Sequence, residues 1–186
     1  MIIPANQASF EFPIADVDDA LLDGPQNVTF TATAPGYQGA SAVIEVLDRE
    51  QLAVSLASNS ISENGRSVTG TVTRSNSDLG LPISVQLSTD NPDEATVTAN
   101  VQIPAQQTSA TFTIFAVDDN ILDGTASVTI SAMSTGYEDG LATLNVTDHE
   151  ALSVTLTDDS ISERNRMTTG VVRRGNTDVG SPLTVQ

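Results

Sequence analysis

The 186-residue sequence contains no cysteine and no tryptophan, and it has only one histidine. Disulfide scaffolds, thiolate zinc sites, cysteine nucleophiles and multi-histidine metal centres are therefore excluded. Seven basic residues, all arginine, stand against 24 acidic ones, so the formal net charge is −17. A chain with this charge repels both nucleic acid and anionic membrane surfaces, and neither is expected as a partner.

Long hydrophobic runs and familiar catalytic motifs are also missing. No apolar run approaches the ~18 residues of a membrane span, so direct membrane insertion is not expected. No G-x-S-x-G, P-loop or H-E-x-x-H motif occurs, and there is no tryptophan to line a sugar cleft between paired carboxylates. We therefore predict that the protein is not an enzyme.

The sequence matches itself at an offset of 100 residues without a gap. About 40 of 86 aligned positions are identical, which indicates tandem duplication. The strongest match pairs FPIADVDDALLDG at 12–24 with FTIFAVDDNILDG at 112–124. Junctions at DRE (48–50) and DHE (148–150) set the boundaries. We predict the C-terminal part of one repeat at 1–50, a complete repeat at 51–150 and the N-terminal part of another at 151–186.

Alternating apolar and polar residues predict strands throughout the complete repeat. Hydrophobic residues make up 39% of the chain, enough for a core, and no helical periodicity is evident. Seven strands within about 100 residues favour an all-β fold, an immunoglobulin-like antiparallel β-sandwich in tandem repeats. The predicted strands are A 52–57, B 67–74, C 83–89, D 96–103, E 108–116, F 125–133 and G 141–147.

The acidic residues of this repeat are predicted to collect at one end of the sandwich. Successive strands run in opposite directions, so the A–B, C–D and E–F loops and the end of strand G meet at one pole. Asp118, Asp119 and Asp123 could wrap a short loop around a cation, with Glu63 and the pair Asp148 and Glu150 closing the site from two other segments. Calcium suits such a site, because it accepts six to eight oxygen ligands in irregular geometry.

Other interpretations of the acidic residues stay open. Asp and Gly are also what solvated tight turns select, and Asp148 and Glu150 could simply keep a linker hydrated. Arg49 and Arg66 could hold the acidic pole together by ion pairing without a metal. Tyr37 and Tyr137, each in a Gly-Tyr turn, are interpreted as packing residues rather than as platforms for sugars.

The ISEN motif at 61–64, the VDDNILDG loop at 117–124 and the ATLNVTDHE ending at 142–150 resemble the Calx-beta domain. This calcium-binding β-sandwich occurs in sodium/calcium exchangers, integrin β4 and many bacterial surface proteins. The resemblance implies calcium ligands at Glu63, Asp118, Asp119, the carbonyl of Ile121, Asp123, Asp148 and Glu150. The 100-residue offset extends the set to Asp18, Asp19, Asp23, Asp48 and Glu50. Whether Asp90, Asp93 or Glu94 adds a further ligand is left open.

The sequence thus favours a calcium-binding structural or adhesion repeat of a larger extracellular or bacterial cell-surface protein. Calcium is the expected cofactor, and it would rigidify the junctions between neighbouring repeats of the same polypeptide. The alternative is a metal-independent β-sandwich module that binds a cell-surface protein or glycan, with the acidic residues serving solubility. Intracellular calcium sensing, as in exchanger regulatory loops, is a third option.

Overall fold

The computed structural model describes residues 1–164 and 167–186, and every regular element in these ranges is a β-strand. Two strands lie in the N-terminal segment (1–50), ten pass through the central segment (51–150, the first beginning at Glu50), and two lie in the C-terminal segment (151–186). In chain order they are β1 (Gln26–Ala32), β2 (Ala40–Val46), β3 (Glu50–Leu56), β4 (Ser60–Ser62), β5 (Ser67–Arg74), β6 (Ile83–Thr89), β7 (Ala95–Val97), β8 (Asn100–Ile103), β9 (Ser109–Ala116), β10 (Ala126–Met133), β11 (Tyr137–Glu138), β12 (Gly140–Thr147), β13 (Leu152–Leu156) and β14 (Gly170–Arg174).

The central segment is a two-layer sandwich of five-stranded sheets. One sheet has the order β4-β12-β10-β6-β8 and the other β11-β3-β5-β9-β7. Most neighbours are antiparallel, while the short strands β4 and β11 pair in parallel with β12 and β3. The all-β class and the antiparallel sandwich predicted from period-two alternation are observed.

The core lies between these two sheets and contains the residues that the alternation pointed inward. Val72 and Ile114 from one sheet, and Val85, Val128 and Ile130 from the other, are fully buried. Their polar sequence neighbours face outward, as expected for strands that bury a single face. Burial of these aliphatic side chains is the main favourable contribution to folding.

One of the predicted strands differs from the structure. The single strand D predicted at 96–103 is instead two strands, β7 and β8, which belong to opposite sheets. The apolar alternation continues through the bend between them, because Ala95 and Ile103 both reach the core from different sheets. The predicted strand A corresponds to β3, and the short strand β4, which was not predicted, follows it and pairs with β12 in the other sheet.

The flanking segments contain hairpins whose registers match those of the central segment at an offset of 100 residues. Gln26 pairs with Val46 as Ala126 pairs with Val146, and this correspondence holds along β1–β2. The pairing of β13 with β14 likewise repeats that of β3 with β5. Their apolar faces are open, however: Val28 is 40% exposed, whereas its counterpart Val128 is fully buried.

Candidate metal site

One end of the sandwich carries acidic side chains from four loops or strand ends. We call this group the acidic pole. Glu63 follows β4, Glu94 precedes β7, three aspartates lie between β9 and β10, and two acids follow β12. The acidic pole is defined as Glu63, Glu94, Asp118, Asp119, Asp123, Asp148 and Glu150.

Glu63 is the most buried member of the acidic pole. Its side chain is 1% exposed, and its Oε2 atom has no hydrogen-bond partner. The Glu63 N–H donates to the carbonyl of Thr147 at 3.1 Å, which fixes this residue beside the end of β12. An ionised carboxylate in such a place has lost its hydration without gaining a partner.

Burial is the main cause of a raised Glu63 pKa, which moves from 4.5 to about 7. The negative charges of Asp148, Glu94, Asp119 and Asp118 raise it further, in that order. These charges come from three other parts of the chain. The fold therefore brings together the groups that the sequence predicted to converge, and their mutual repulsion favours a bound cation.

Glu94 is the acid that the sequence left undecided. It is 7% exposed, and its pKa is raised by burial and then by the charges of Asp123, Asp119 and Asp148, while contact with the Glu63 carboxyl partly opposes the rise. Its carbonyl accepts a hydrogen bond of 2.8 Å from the N–H of Val117. That bond ties Glu94 to the start of the aspartate loop.

The other two candidates from this region are exposed, unlike Glu94. Asp90 accepts a 2.7 Å hydrogen bond from the N–H of Thr129, which lowers its pKa, and Asp93 is exposed. Sequence reasoning missed the distinction because Asp90, Asp93 and Glu94 share one loop. The available signal was that Glu94 directly precedes a core residue, Ala95.

The aspartate loop between β9 and β10 is shaped by its own carboxylates and by left-handed backbone. Asp119 accepts a 2.8 Å hydrogen bond from the N–H of Ile121, and Asn120 and Gly124 have positive φ angles of 60° and 101°. The Gly124 N–H donates to Asp148 Oδ2 at 2.7 Å. One oxygen of Asp148 thus closes the loop, while its Oδ1 is buried and has no hydrogen-bond partner.

Glu150 lies at the junction with the C-terminal segment. Its pKa is raised by burial and then by the charges of Asp118, Asp178, Asp148 and Asp119, and its Oε1 is buried without a hydrogen-bond partner. Glu150 therefore shares with Glu63 the charges of Asp118, Asp119 and Asp148, and it also faces Asp178 from the following segment.

The N-terminal segment reproduces the loop but places its last acid differently. Asp19 accepts from the N–H of Leu21 at 3.0 Å, and Asp48 accepts from Gly24 at 2.7 Å, as their counterparts do 100 residues later. Glu50 is 5% exposed, and the Ser75 hydroxyl donates to its carboxylate. Asp18 and Asp23 are exposed.

The chemistry of the acidic pole fits a hard divalent cation. Three buried carboxylate oxygens, Glu63 Oε2, Asp148 Oδ1 and Glu150 Oε1, have no hydrogen-bond partner, and oxygen is the ligand type that calcium takes. In residues 1–164 and 167–186, however, no three acidic or histidine side chains are positioned as they stand to hold a metal ion. The ligand set remains a prediction.

Residues outside the acidic pole bear on the alternatives. Arg66 Nε donates to Asn64 Oδ1 at 3.2 Å, and His149 is exposed. Tyr137 is 7% exposed, and its hydroxyl donates to Asn76 Oδ1 at 2.7 Å, so it packs as interpreted from the sequence. The same interpretation is wrong for Tyr37, which is 81% exposed because the N-terminal segment has no second sheet over its hairpin. Across the described part of the chain, no helix has the length and apolar character that a bilayer crossing requires.

Comparison with known proteins gives similarity at the level of solved structures. No family model matches the chain, and no match was found among curated proteins. A glycosyl hydrolase family 2 member from Bacteroides cellulosilyticus is similar with a TM-score of 0.44 at 11% identity, over 65% of this chain and 17% of that one. The CBD12 structure from CALX1.2 has a TM-score of 0.42 at 14% identity, covering 67% and 72%. The apo-form Calx CBD1 domain has a TM-score of 0.39 at 16% identity, covering 54% and 99%.

Proposed function

We propose that this chain is a calcium-binding structural repeat module of a larger extracellular or cell-surface protein. Calcium bound at the acidic pole would rigidify the junction with the next repeat of the same polypeptide. The supporting observation is Glu63, a buried carboxylate with an unpartnered oxygen that faces negative charges from three other parts of the chain. The role is non-catalytic.

The physical argument is that the apo site carries an electrostatic cost. Burial, and then the negative charges of neighbouring carboxylates, raise the pKa values of Glu63, Glu94 and Glu150. A divalent cation replaces this repulsion with attraction and supplies the ligand that the buried oxygens lack. Bound calcium would therefore tighten the loops that it bridges.

The position of the site supports a mechanical role. Asp148 and Glu150 lie between β12 and β13, where the chain leaves the central segment. An ion held by these two residues and by the aspartate loop would join the connecting peptide to the sandwich. Bending at the junction would then require distortion of the ion's coordination.

A calcium titration of the full chain tests this function. Extracellular modules of this kind bind with Kd of about 10⁻⁴ to 10⁻³ M, so millimolar calcium should stabilise the fold by ~1–2 kcal/mol. We expect a measurable heat in calorimetry and a higher melting temperature. The variant Asp119→Asn should weaken both responses, whereas Asp139→Asn, at the other end of the sandwich, should leave them unchanged.

Absence of heat and of any melting shift at millimolar calcium would contradict the proposal. The metal-independent alternative, a module that binds a glycan or a protein, predicts binding that a chelator does not affect. A glycan array probed with and without chelator separates these two functions. The ring of Tyr37 is 81% exposed and is one aromatic group available for such stacking, whereas Tyr137 is buried.

A further inference from the structure

The contact between the N-terminal and central segments is made by a short turn after β5. In this turn, the Ser77 N–H and hydroxyl both donate to the carbonyl of Ala20, at 2.9 and 3.1 Å. Asp78 Oδ1 accepts from the N–H of Leu22 at 3.2 Å and from Asn76 Nδ2 at 2.8 Å. The turn thus binds a carbonyl and an N–H of the preceding segment's aspartate loop.

The same contact recurs between the central and C-terminal segments. Thr177 donates to the carbonyl of Asn120 through its N–H at 2.8 Å and its hydroxyl at 3.2 Å. Asp178 Oδ1 accepts from Leu122 at 3.1 Å and from Asn176 at 2.6 Å. Every donor and acceptor is displaced by 100 residues, although alanine has become asparagine and serine has become threonine. The interaction therefore depends on the backbone of the loop and on an Asn-Ser/Thr-Asp turn.

The backbone of each aspartate loop has an uncommon conformation at the residue whose carbonyl accepts these hydrogen bonds. Ala20 and Asn120 have φ angles of 59° and 60°, in the left-handed region that residues other than glycine seldom adopt. Asparagine tolerates this conformation, but alanine has no side chain that favours it. The hydrogen bonds that Ser77 donates to the Ala20 carbonyl offset the strain at that position.

Where the N-terminal and central segments meet, an apolar side chain of the N-terminal segment also packs against the central segment. Leu22 packs against the core of the central segment, and a Cβ atom added at Gly136 would lie 3.0 Å from its Cδ1. The next residue, Tyr137, donates its hydroxyl to Asn76 Oδ1, which directs the Asn76 amide nitrogen toward Asp78. Gly136 and Tyr137 therefore support the packing and the polar part of this contact, respectively.

We propose that the Asn-Ser/Thr-Asp turn is a latch that fixes adjoining segments to each other without a metal ion, and that its partner is the aspartate loop of the preceding segment. The latch consists of backbone N–H and carbonyl groups, one hydroxyl and one carboxylate, and each of these groups forms a hydrogen bond between the two segments. This inference does not depend on the calcium proposal. It attributes the relative placement of adjoining segments to Asp78 and Asp178, each of which belongs to the later of the two segments in contact.

Amide hydrogen exchange of the full chain, followed by NMR in excess chelator, tests the latch. We expect the amides of Leu22 and Ser77 to exchange about tenfold to a hundredfold more slowly than in an unstructured peptide. Asp78→Ala should remove most of that protection. The control Asp139→Ala, in the nearby turn between β11 and β12, should retain it. Unchanged protection along β9 shows that the central segment is still folded.

A second variant keeps the test valid if Asp78→Ala disturbs the turn itself. Leu22→Ala leaves the residues of the turn unchanged and should also release the joint, because it removes a side chain that packs against the central segment. Its counterpart Leu122→Ala should have little effect because Leu122 is 51% exposed. The proposal is wrong if the wild-type amides are unprotected in chelator, if protection appears only when calcium is added, or if both variants leave it intact. A chain that fails to bind calcium would refute the proposed function and leave the latch unaffected.

Discussion

Replacing Glu63 with glutamine should stabilise the calcium-free protein and abolish its response to calcium. The folded state holds this carboxyl 1% exposed with a pKa of about 7, against 4.5 for the ordinary side chain. That difference corresponds to about 3 kcal/mol of destabilisation by the ionised group at pH 8. An amide of the same shape carries no charge, although its own unmet hydrogen bonds cost about 1 kcal/mol. The expected net gain is about 2 kcal/mol.

The raised pKa of Glu63 determines in which direction the stability of the wild type changes with pH. Because the folded Glu63 keeps its proton to a higher pH than the unfolded chain, its contribution to stability is fully present below pH 4.5. It falls as the pH rises to about 7 and is constant above that. Urea denaturation in chelator, repeated between pH 4.5 and 8, should therefore show a wild-type advantage that shrinks and reverses relative to Glu63→Gln. Carboxylates distant from Glu63 cancel in the difference between the two proteins, whereas Glu94, which contacts the Glu63 carboxyl, adds to the difference.

Glu163→Gln is the matched control. It changes the same residue type in the same Ser-Ile-Ser-Glu sequence, but Glu163 is exposed, so no change in stability is expected. Millimolar calcium should stabilise the wild type and Glu163→Gln while leaving Glu63→Gln unchanged. A Glu63→Gln protein that is less stable than the wild type in chelator at pH 8 would refute the electrostatic account of the acidic pole.

Three further substitutions test the packing on which the site rests, each by urea denaturation in chelator. Gly70→Ala should destabilise the fold by about 1–3 kcal/mol, since the added methyl group would overlap the ring of Phe112; an unchanged midpoint would mean that the ring moves freely. Tyr137→Phe should cost about 1–2 kcal/mol by leaving the buried Asn76 without its donor, and a neutral result would show that water replaces the hydroxyl. Ile130→Ala should cost about 2–5 kcal/mol because the side chain is fully buried, and a loss below 1 kcal/mol would contradict its place in the core.

Alternation in the sequence determined the fold class and most strand positions, because a strand that buries one face must repeat every two residues. The predicted strands B and C have the bounds of β5 and β6. The sequence also matches itself at an offset of 100 residues, and the strand registers recur at that offset, while the division into tandem repeats stays a prediction. The convergence of the acids on one pole followed from strand order, and Glu63 near Asp119 and Asp148 agrees with it.

The tertiary structure determined sheet membership, burial and long-range contacts, which the alternation of apolar and polar residues does not encode. A period-two pattern does not say which sheet a strand joins, so it missed the crossing between β7 and β8. Composition could not rank Asp90, Asp93 and Glu94, because their difference is burial, which depends on groups distant in sequence. The sequence did not predict the latch for the same reason. Asn76, Ser77 and Asp78 have the composition of an ordinary polar turn. Only the fold brings Ala20 and Leu22, more than 50 residues away, into contact with that turn.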